Sequence, residues 1–521
     1  MYCTAIGEGG SPMLGNTRVW VSRLLKNIED SNTPLVLFFV SFLIITCVRN
    51  FLEVFSDHTE IVLVRFIHYS LFYVVLLAWL SILLSWIGGK PVSKVLRALC
   101  FGFVIILFPP LFDLLVTGGS GSNIGYLFPE QYPDLWMTFL TFFGAMRESG
   151  VTQGIRVEIG IVMLALFSYL MYASRSITRS AIGTIGSYAL IFLCGSIPYA
   201  LIHALPLVGY EFRYTDLVMI KVLLLMSLPA IIMITLWAHP RISLALLRDI
   251  RPLLMTYYLL LVLLGVSFGL SEYPRGLVPM APDMLLMAAS LICAMLFSII
   301  TNNIADVKID RVSNPHRPSL SSRVPAKTYR HAAYASLFLS LILIAPLGFP
   351  FLFMTLLFIG AYFIYSMPPF RLKRVFILSK APIGFNSLVA ILLGFSLVQM
   401  SARGLVDPAG LPSSFSLLSI IGISLAANVI DLKDVKGDRK GRIATVPVVL
   451  GMRRAQYLIA AFFLFLYMGI SYVLEGTLLS PVLIFGLIGA SFIIRSEFRE
   501  RPVFLLVILS IIWIIVRFLM T

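Results

Sequence analysis

The feature that most constrains this chain is its series of long, unbroken apolar runs. Leu35 to Phe55 is the first, and similar stretches recur to the C-terminal end. A helix that crosses a bilayer needs about 20 mostly apolar residues, and in lipid only helices and closed barrels satisfy every backbone group. Barrel strands alternate polar and apolar residues over about 10 positions. These runs do not alternate, so each reads as a helix. Hydrophobic residues make up 59% of the 521 and charged residues only 12%, about half the share usual in soluble domains. A soluble enzyme, a disordered chain and a coiled coil are excluded. The chain reads as an all-α polytopic membrane protein.

The runs place about 15 transmembrane helices, near 35–55, 62–86, 98–118, 157–174, 181–202, 217–238, 253–271, 284–304, 333–349, 350–366, 383–400, 413–430, 455–473, 479–494 and 503–520. With the N-terminus inside, 31 of the 40 Lys and Arg residues fall on the inner face. Cytoplasmic loops carry that excess, so the N-terminus and the loops after even-numbered spans are expected to be cytoplasmic, in a cell-membrane protein. The net charge of +15 then reports contact with anionic membrane lipids and implies no nucleic-acid partner. Leu135 to Met146 is too short to span and is expected to lie at the outer face. Five scattered cysteines, with no CxxC pair, read as packing residues.

Charge distribution divides the chain near residue 240. Residues 1–240 hold six spans and no clustered acids. They form an N-terminal membrane domain in which Asp113, with His68 and His203 as possible partners, is the notable intramembrane acid. Residues 241–521 hold nine spans joined by inner loops dense in Asp, Lys and Arg.

Two acidic clusters end spans on the inner side. Asn302, Asp306 and Asp310 are spaced i, i+4, i+8, one face of a helix. Asp434 and Asp438 are again spaced i, i+4, and Asp431 lies one turn earlier. Four spans separate the clusters, an even number, so both open on the same side. Like charges in a partly apolar mouth repel and are costly unless cations bind. Carboxylate and amide oxygens suit Mg²⁺, which takes one or two carboxylates together with phosphate oxygens and water. Arg317, Arg371, Lys373 and Arg439, in the inner loops, can take further negative charge.

These motifs resemble the signature of the UbiA superfamily of intramembrane prenyltransferases. That family carries NxxxDxxxD after its second span and DxxDxxxD after its sixth, which fits a family domain beginning near residue 241. Asn314-Pro315-His316-Arg317-Pro318 is similar to the NxxRP element that follows the first motif. The stretch from Tyr365 to Arg374, YSMPPFRLKR, is similar to the element after the fourth span. Asn303 departs from the Asp that many members have there.

The resemblance implies a nine-helix UbiA-type bundle. It also implies Mg²⁺-dependent transfer of an isoprenoid from a polyprenyl diphosphate donor to a lipophilic acceptor, such as an aromatic ring or a glycerol-phosphate lipid. It implies that Asn302, Asp306, Asp310, Asp431, Asp434 and Asp438 hold metal. Arg317, Lys373 and Arg439 would contact diphosphate, and Tyr365 would lie near the reacting carbon. His316 is a candidate acceptor base. Tyr257, Tyr258, Phe297, Phe363 and Phe385 are candidate aromatic faces for an allylic cation. A terpene cyclase on the same fold needs the same acids and is the alternative. An Asp-lined transporter is disfavoured, because the acids cluster at span ends on one side. The acceptor, donor chain length, oligomeric state and role of residues 1–240 are left open by the sequence.

Overall fold

A computed structural model describes residues 12–57, 60–120, 125–128, 134–143, 151–208, 213–307, 324–376, 378–441 and 443–520. The described residues contain helices and no strand. Among the described residues fourteen helices are long and apolar enough to cross a membrane, as expected of a multi-pass membrane protein. The chain separates into two compact units, Met1–Pro240 and Arg241–Thr521.

In the first unit the membrane helices are α1 (Leu35–Ser56), α2 (Leu63–Gly88), α3 (Val92–Val116), α4 (Gln153–Ser174), α5 (Ile177–Gly195) and α6 (Asp216–Ala238). The six expected spans are all present. Hydroxyl caps open three of them: Thr152, Ser176 and Thr215 accept from Ile155, Arg179 and Val218 amides. Each satisfies one of the donors a helix start leaves unpaired. The α2 helix is central and packs against α1, α3, α5 and α6. Among the described residues the short apolar stretch from Leu135 forms the helix Leu135–Leu140, capped by Asp134 and far too short to span.

Asp113 does not join either histidine. Its Oδ1 accepts from the Gly154 amide at 2.8 Å, at the start of α4. His68 is instead fully buried between Asp216 and Tyr126, at 2.8 Å from each. His203 lies against Tyr199, with ring centroids 4.7 Å apart. The pairing follows α2–α6 packing, which sequence distance did not reveal.

In the second unit the helices are α7 (Pro252–Glu272), α8 (Val278–Ala305), α9 (Ala326–Leu347), α10 (Phe349–Ser366), α11 (Ala381–Arg403), α12 (Ser413–Lys440), α13 (Met452–Glu475), α14 (Val482–Ile494) and α15 (Glu500–Met520). The expected span at 479–494 is the exception in length. At 13 residues α14 rises about 20 Å, short of a hydrocarbon core of about 30 Å. A short amphipathic helix, Pro240–Asp249, precedes α7.

The α11 helix organises the unit, packing against α7, α10 and α12. Its seam with α7 is unusually close. A Cβ on Gly394 would stand 1.9 Å from Val262 O, and one on Gly265 would stand 2.0 Å from Ile391 O. Small residues let membrane helices approach until dispersion replaces the missing hydrophobic drive. Polar links across helices add to it. Asn386 donates to Phe358 O at 3.1 Å, and the Tyr257 and Ser387 hydroxyls lie 2.9 Å apart. Gly394→Val should therefore separate α7 from α11 and lower stability by about 1–3 kcal/mol or more, the range for overpacking. Thermal unfolding in detergent checks this; an unchanged midpoint would mean the seam yields freely.

The α12 helix is irregular where it approaches α11. It passes through a π turn at Leu418–Gly422 and a 3₁₀ turn at Ala427–Ile430 before a regular polar end, Asp431–Lys440. Such breaks mark places where a helix is re-aimed. Here they precede the second acidic cluster.

Candidate active site

The two acidic clusters meet. A cavity of about 540 Å³ is lined by Asn302 and Asp306 at the end of α8, and by Asp431, Asp434 and Asp438 on the polar end of α12. The even count of spans between the clusters thus has the structural consequence expected of it. Each cluster sits where an apolar helix runs out, so its carboxylates stay at the mouth. Asp306 continues the α8 pattern, its amide donating to Asn302 O at 2.9 Å.

Cations from two other segments close the cavity. Past α10 the chain turns through Pro368–Pro369, and Arg371 takes a left-handed conformation with φ +45°. Arg371 then donates to Asp306 Oδ1 at 2.8 Å and to Ala305 O at 3.1 Å. Lys373 bonds the other Asp306 oxygen and Asn302 Oδ1, the latter at 2.9 Å. Ser366 also donates to Asn302 Oδ1 at 2.9 Å. Lys380, just before α11, donates to Asp431 Oδ1 at 2.5 Å, with both side chains about 8% exposed. Burial disfavours the Lys380 ammonium, but Tyr365 and the Asp431 carboxylate outweigh it and leave its pKa above the ordinary value.

So part of the clusters' repulsion is met by the protein itself. Asp306 and Asp431 have cationic partners. Asp434 and Asp438 have no ion pair among the described residues, although Asp438 lies 3.3 Å from the Thr445 hydroxyl. The second oxygen of Asp431 is buried without a hydrogen-bond partner.

Tyr365 lines the cavity, and so does Tyr362 one turn earlier. The remaining aromatic candidates do not. Phe363 is exposed, and Phe297 is buried outside the lining. Tyr258 packs beneath, its hydroxyl accepting from Tyr362 at 2.8 Å. Arg439 is exposed and is not part of the lining. Asp310, Arg317 and His316 lie outside the described residues. Asn303 faces away from the cavity: it donates to the Tyr329 hydroxyl at 3.0 Å, and Tyr329 bonds Asp249. Its departure from Asp therefore touches a packing contact, not the cavity wall.

Sequence reasoning missed Lys380, Lys433 and Tyr362, which all line the cavity. For Tyr362 the i, i+3 spacing to Tyr365 was a usable signal. Lys380 carried none, because a lone lysine beside a span looks like any topology charge, whereas Lys433 stood inside the second acidic motif, between Asp431 and Asp434.

A second cavity of about 140 Å³ lies in the same unit, walled by apolar residues of α7, α11, α12, α13 and α15. Leu254 and Ile430 line both cavities. An apolar cavity thus adjoins the charged one, with Leu254 and Ile430 in the wall between them.

Among the described residues no three His, Cys, Asp or Glu side chains converge closely enough to hold a metal ion by themselves. Mg²⁺ makes no such demand when it shares its shell with phosphate and water. The hard oxygen donors of Asn302, Asp434 and Asp438, and the orphaned Asp431 oxygen, suit it.

Residues 258–503 match the model of the UbiA prenyltransferase family. Among curated relatives, the probable homogentisate phytyltransferase 2 of Oryza sativa subsp. japonica is 31% identical over 187 residues, covering 32% of this chain and 45% of that protein. Digeranylgeranylglyceryl phosphate synthase of Pyrococcus abyssi is 28% identical over 162 residues, covering 31% and 54%. The chain spans about half the length of these curated relatives. A solved UbiA homolog from Archaeoglobus fulgidus bound to GPP and Mg²⁺ is 19% identical, with a TM-score of 0.43, over 53% of this chain and 100% of that one.

Proposed function

Residues 258–503 belong to the UbiA prenyltransferase family, and on that premise we propose that the second unit is an intramembrane prenyltransferase. It would move an isoprenoid from a polyprenyl diphosphate to a lipophilic acceptor. The observation that carries this reading is the cavity shared by both acidic clusters, with an apolar cavity adjoining it across Leu254 and Ile430. A prenyl diphosphate has the matching halves, a highly charged head and a water-insoluble tail.

Asn302, Asp306 and Asp310 would hold one Mg²⁺, and Asp431, Asp434 and Asp438 another. Bound there, Mg²⁺ would supply Lewis-acid neutralisation of the diphosphate. Lys373 and Arg371, already at Asp306, are placed to donate to phosphate oxygens as negative charge develops on the leaving group. Arg251 and Lys433 add positive charge to the same wall. The allylic C–O bond breaks with its electron pair going to the diphosphate oxygen. The acceptor's nucleophilic atom bonds the allylic carbon and loses a proton. Tyr362 and Tyr365 present aromatic faces to that carbon, and the apolar cavity keeps water from the cation. The proposed topology puts this mouth and the N-terminus on the cytoplasmic side of the cell membrane.

Ile430→Trp tests the reading, because it should obstruct the join between head and tail cavities. Turnover of a twenty-carbon prenyl diphosphate should fall by about tenfold or more, while dimethylallyl diphosphate, which has almost no tail, is affected far less. Equal loss for both donors would remove the tail assignment. Diphosphate release that needs no added acceptor would favour the cyclase.

A further inference from the structure

The first unit has a cavity of its own, about 430 Å³, within the range of small-molecule sites. Its body is apolar, walled by residues such as Leu76, Leu80 and Leu166. Its polar residues gather at one end of the unit. Arg49 stands near the end of α1, Tyr69 and Tyr73 near the start of α2, Glu158 near the start of α4, and Tyr126 in the segment 125–128. The consecutive helices α1 and α2 run in opposite directions, so these positions share one membrane face. Ionisable residues inside a span are costly, and they mark function unless packing explains them.

The polar end is built for a ligand. The Arg49 side chain is about 4% exposed, pairs with Glu53 and lies with its guanidinium 5.4 Å from the Tyr73 ring centre. Its Nε is buried without a hydrogen-bond partner. Among the described residues no hydrogen bond or ion pair holds the Glu158 carboxylate at the cavity wall. Tyr126 is fixed through His68 to Asp216, 2.8 Å at each link. The Asp216 carboxylate accepts a hydrogen bond from His68 Nδ1–H, so Nε2 accepts from the Tyr126 hydroxyl, which keeps its lone pairs for a ligand donor. Burial pushes the Tyr126 hydroxyl well above its ordinary pKa, so it stays neutral.

The charges say what the head is not. Arg49 is already neutralised by Glu53, so this end offers a phosphate no net positive charge. A neutral hydroxyl or carbonyl would find a donor in Arg49 Nε and acceptors in Glu158 and Tyr126. The way in also points to a lipid. Gly102 and Val104 in the middle of α3, and Ile161 and Ala165 in the middle of α4, line the cavity yet are exposed. An opening at mid-span gives onto hydrocarbon, not water.

We propose that the first unit binds an uncharged amphiphile, a lipophilic molecule with a hydroxyl or carbonyl head, which enters from the bilayer between α3 and α4 and places its head against Arg49, Tyr126 and Glu158. The proposal is independent of the activity assigned to the second unit.

The test uses the full chain in lipid nanodiscs with a long-chain isoprenoid alcohol carrying a diazirine near its hydroxyl. Light should crosslink it to peptides holding Arg49, Tyr126 or Glu158, and the unlabelled alcohol should compete. Ala165→Trp, at an exposed position that the fold tolerates, should cut this labelling by about tenfold by closing the entrance. The alcohol's monophosphate should compete poorly with the wild type and better with Glu158→Gln, which puts an amide N–H donor where an acceptor carboxyl stood. That gain cannot come from mere loss of structure. Crosslinks spread over the lipid-facing helices and indifferent to Ala165→Trp would overturn the site. A monophosphate that competes with the wild type as well as the alcohol does would overturn the uncharged head.

Discussion

Asp434→Asn is expected to reduce Mg²⁺-dependent consumption of a prenyl diphosphate by about a hundredfold or more, the scale of losing one preorganised electrostatic contact at a reacting centre. The protein should stay folded. Asp434 has no ion pair among the described residues and shares a cavity with Asp431 and Asp438. Neutralising it strands no cation and relieves repulsion, so the melting temperature without Mg²⁺ should hold or rise. The added stability from Mg²⁺ with diphosphate should shrink, because ligand stabilisation follows affinity. Asp306→Asn should lose activity too, but with a falling melting temperature, since Arg371 and Lys373 lose their common partner. Turnover and melting temperature measured on the same preparations separate the two. Full turnover in Asp434→Asn would end the metal-site reading.

The largest stability effect is expected at Lys380. Its ammonium and the Asp431 carboxylate form a pair that is about 8% exposed on each side and joins the start of α11 to α12. Lys380→Met leaves that carboxylate buried without its cation, a change that costs about 3–5 kcal/mol in buried pairs. Asp431→Asn added to Lys380→Met should recover most of the loss, because no uncompensated charge then remains. Thermal unfolding of both variants in one detergent reads this out. A single variant as stable as the parent would mean that water reaches Asp431 freely. Activity should be absent from both, as each alters the cavity wall.

Residues in direct sequence pattern carried most of the fold. Apolar runs of about 20 residues have one solution in a bilayer, since an unpaired backbone group there has no water to turn to. Hence the six spans of the first unit, and all but one of the fifteen expected in the chain, were legible before any packing was known. The acidic clusters were legible for a related reason: i, i+4 spacing places Asp434 and Asp438 on one face of any helix that contains them.

What tertiary packing alone decided was partnership. Asp113 and His68 were both visible as intramembrane polar residues, but α2–α6 contact gave His68 to Asp216 and left Asp113 to cap α4. The cations at the site came from loops whose distance in sequence says nothing of their distance in space. Arg371 reaches Asp306 because the chain turns at Pro368–Pro369, and Lys380 reaches Asp431 because α11 meets the irregular part of α12. The cavity of the first unit was invisible for the same reason. Arg49, Tyr126 and Glu158 belong to three separate segments, and only the folded bundle brings them to one end of a common space. Hydropathy is a local sum along the chain, whereas a site is a property of side chains from distant segments, so the first can be read in order and the second cannot.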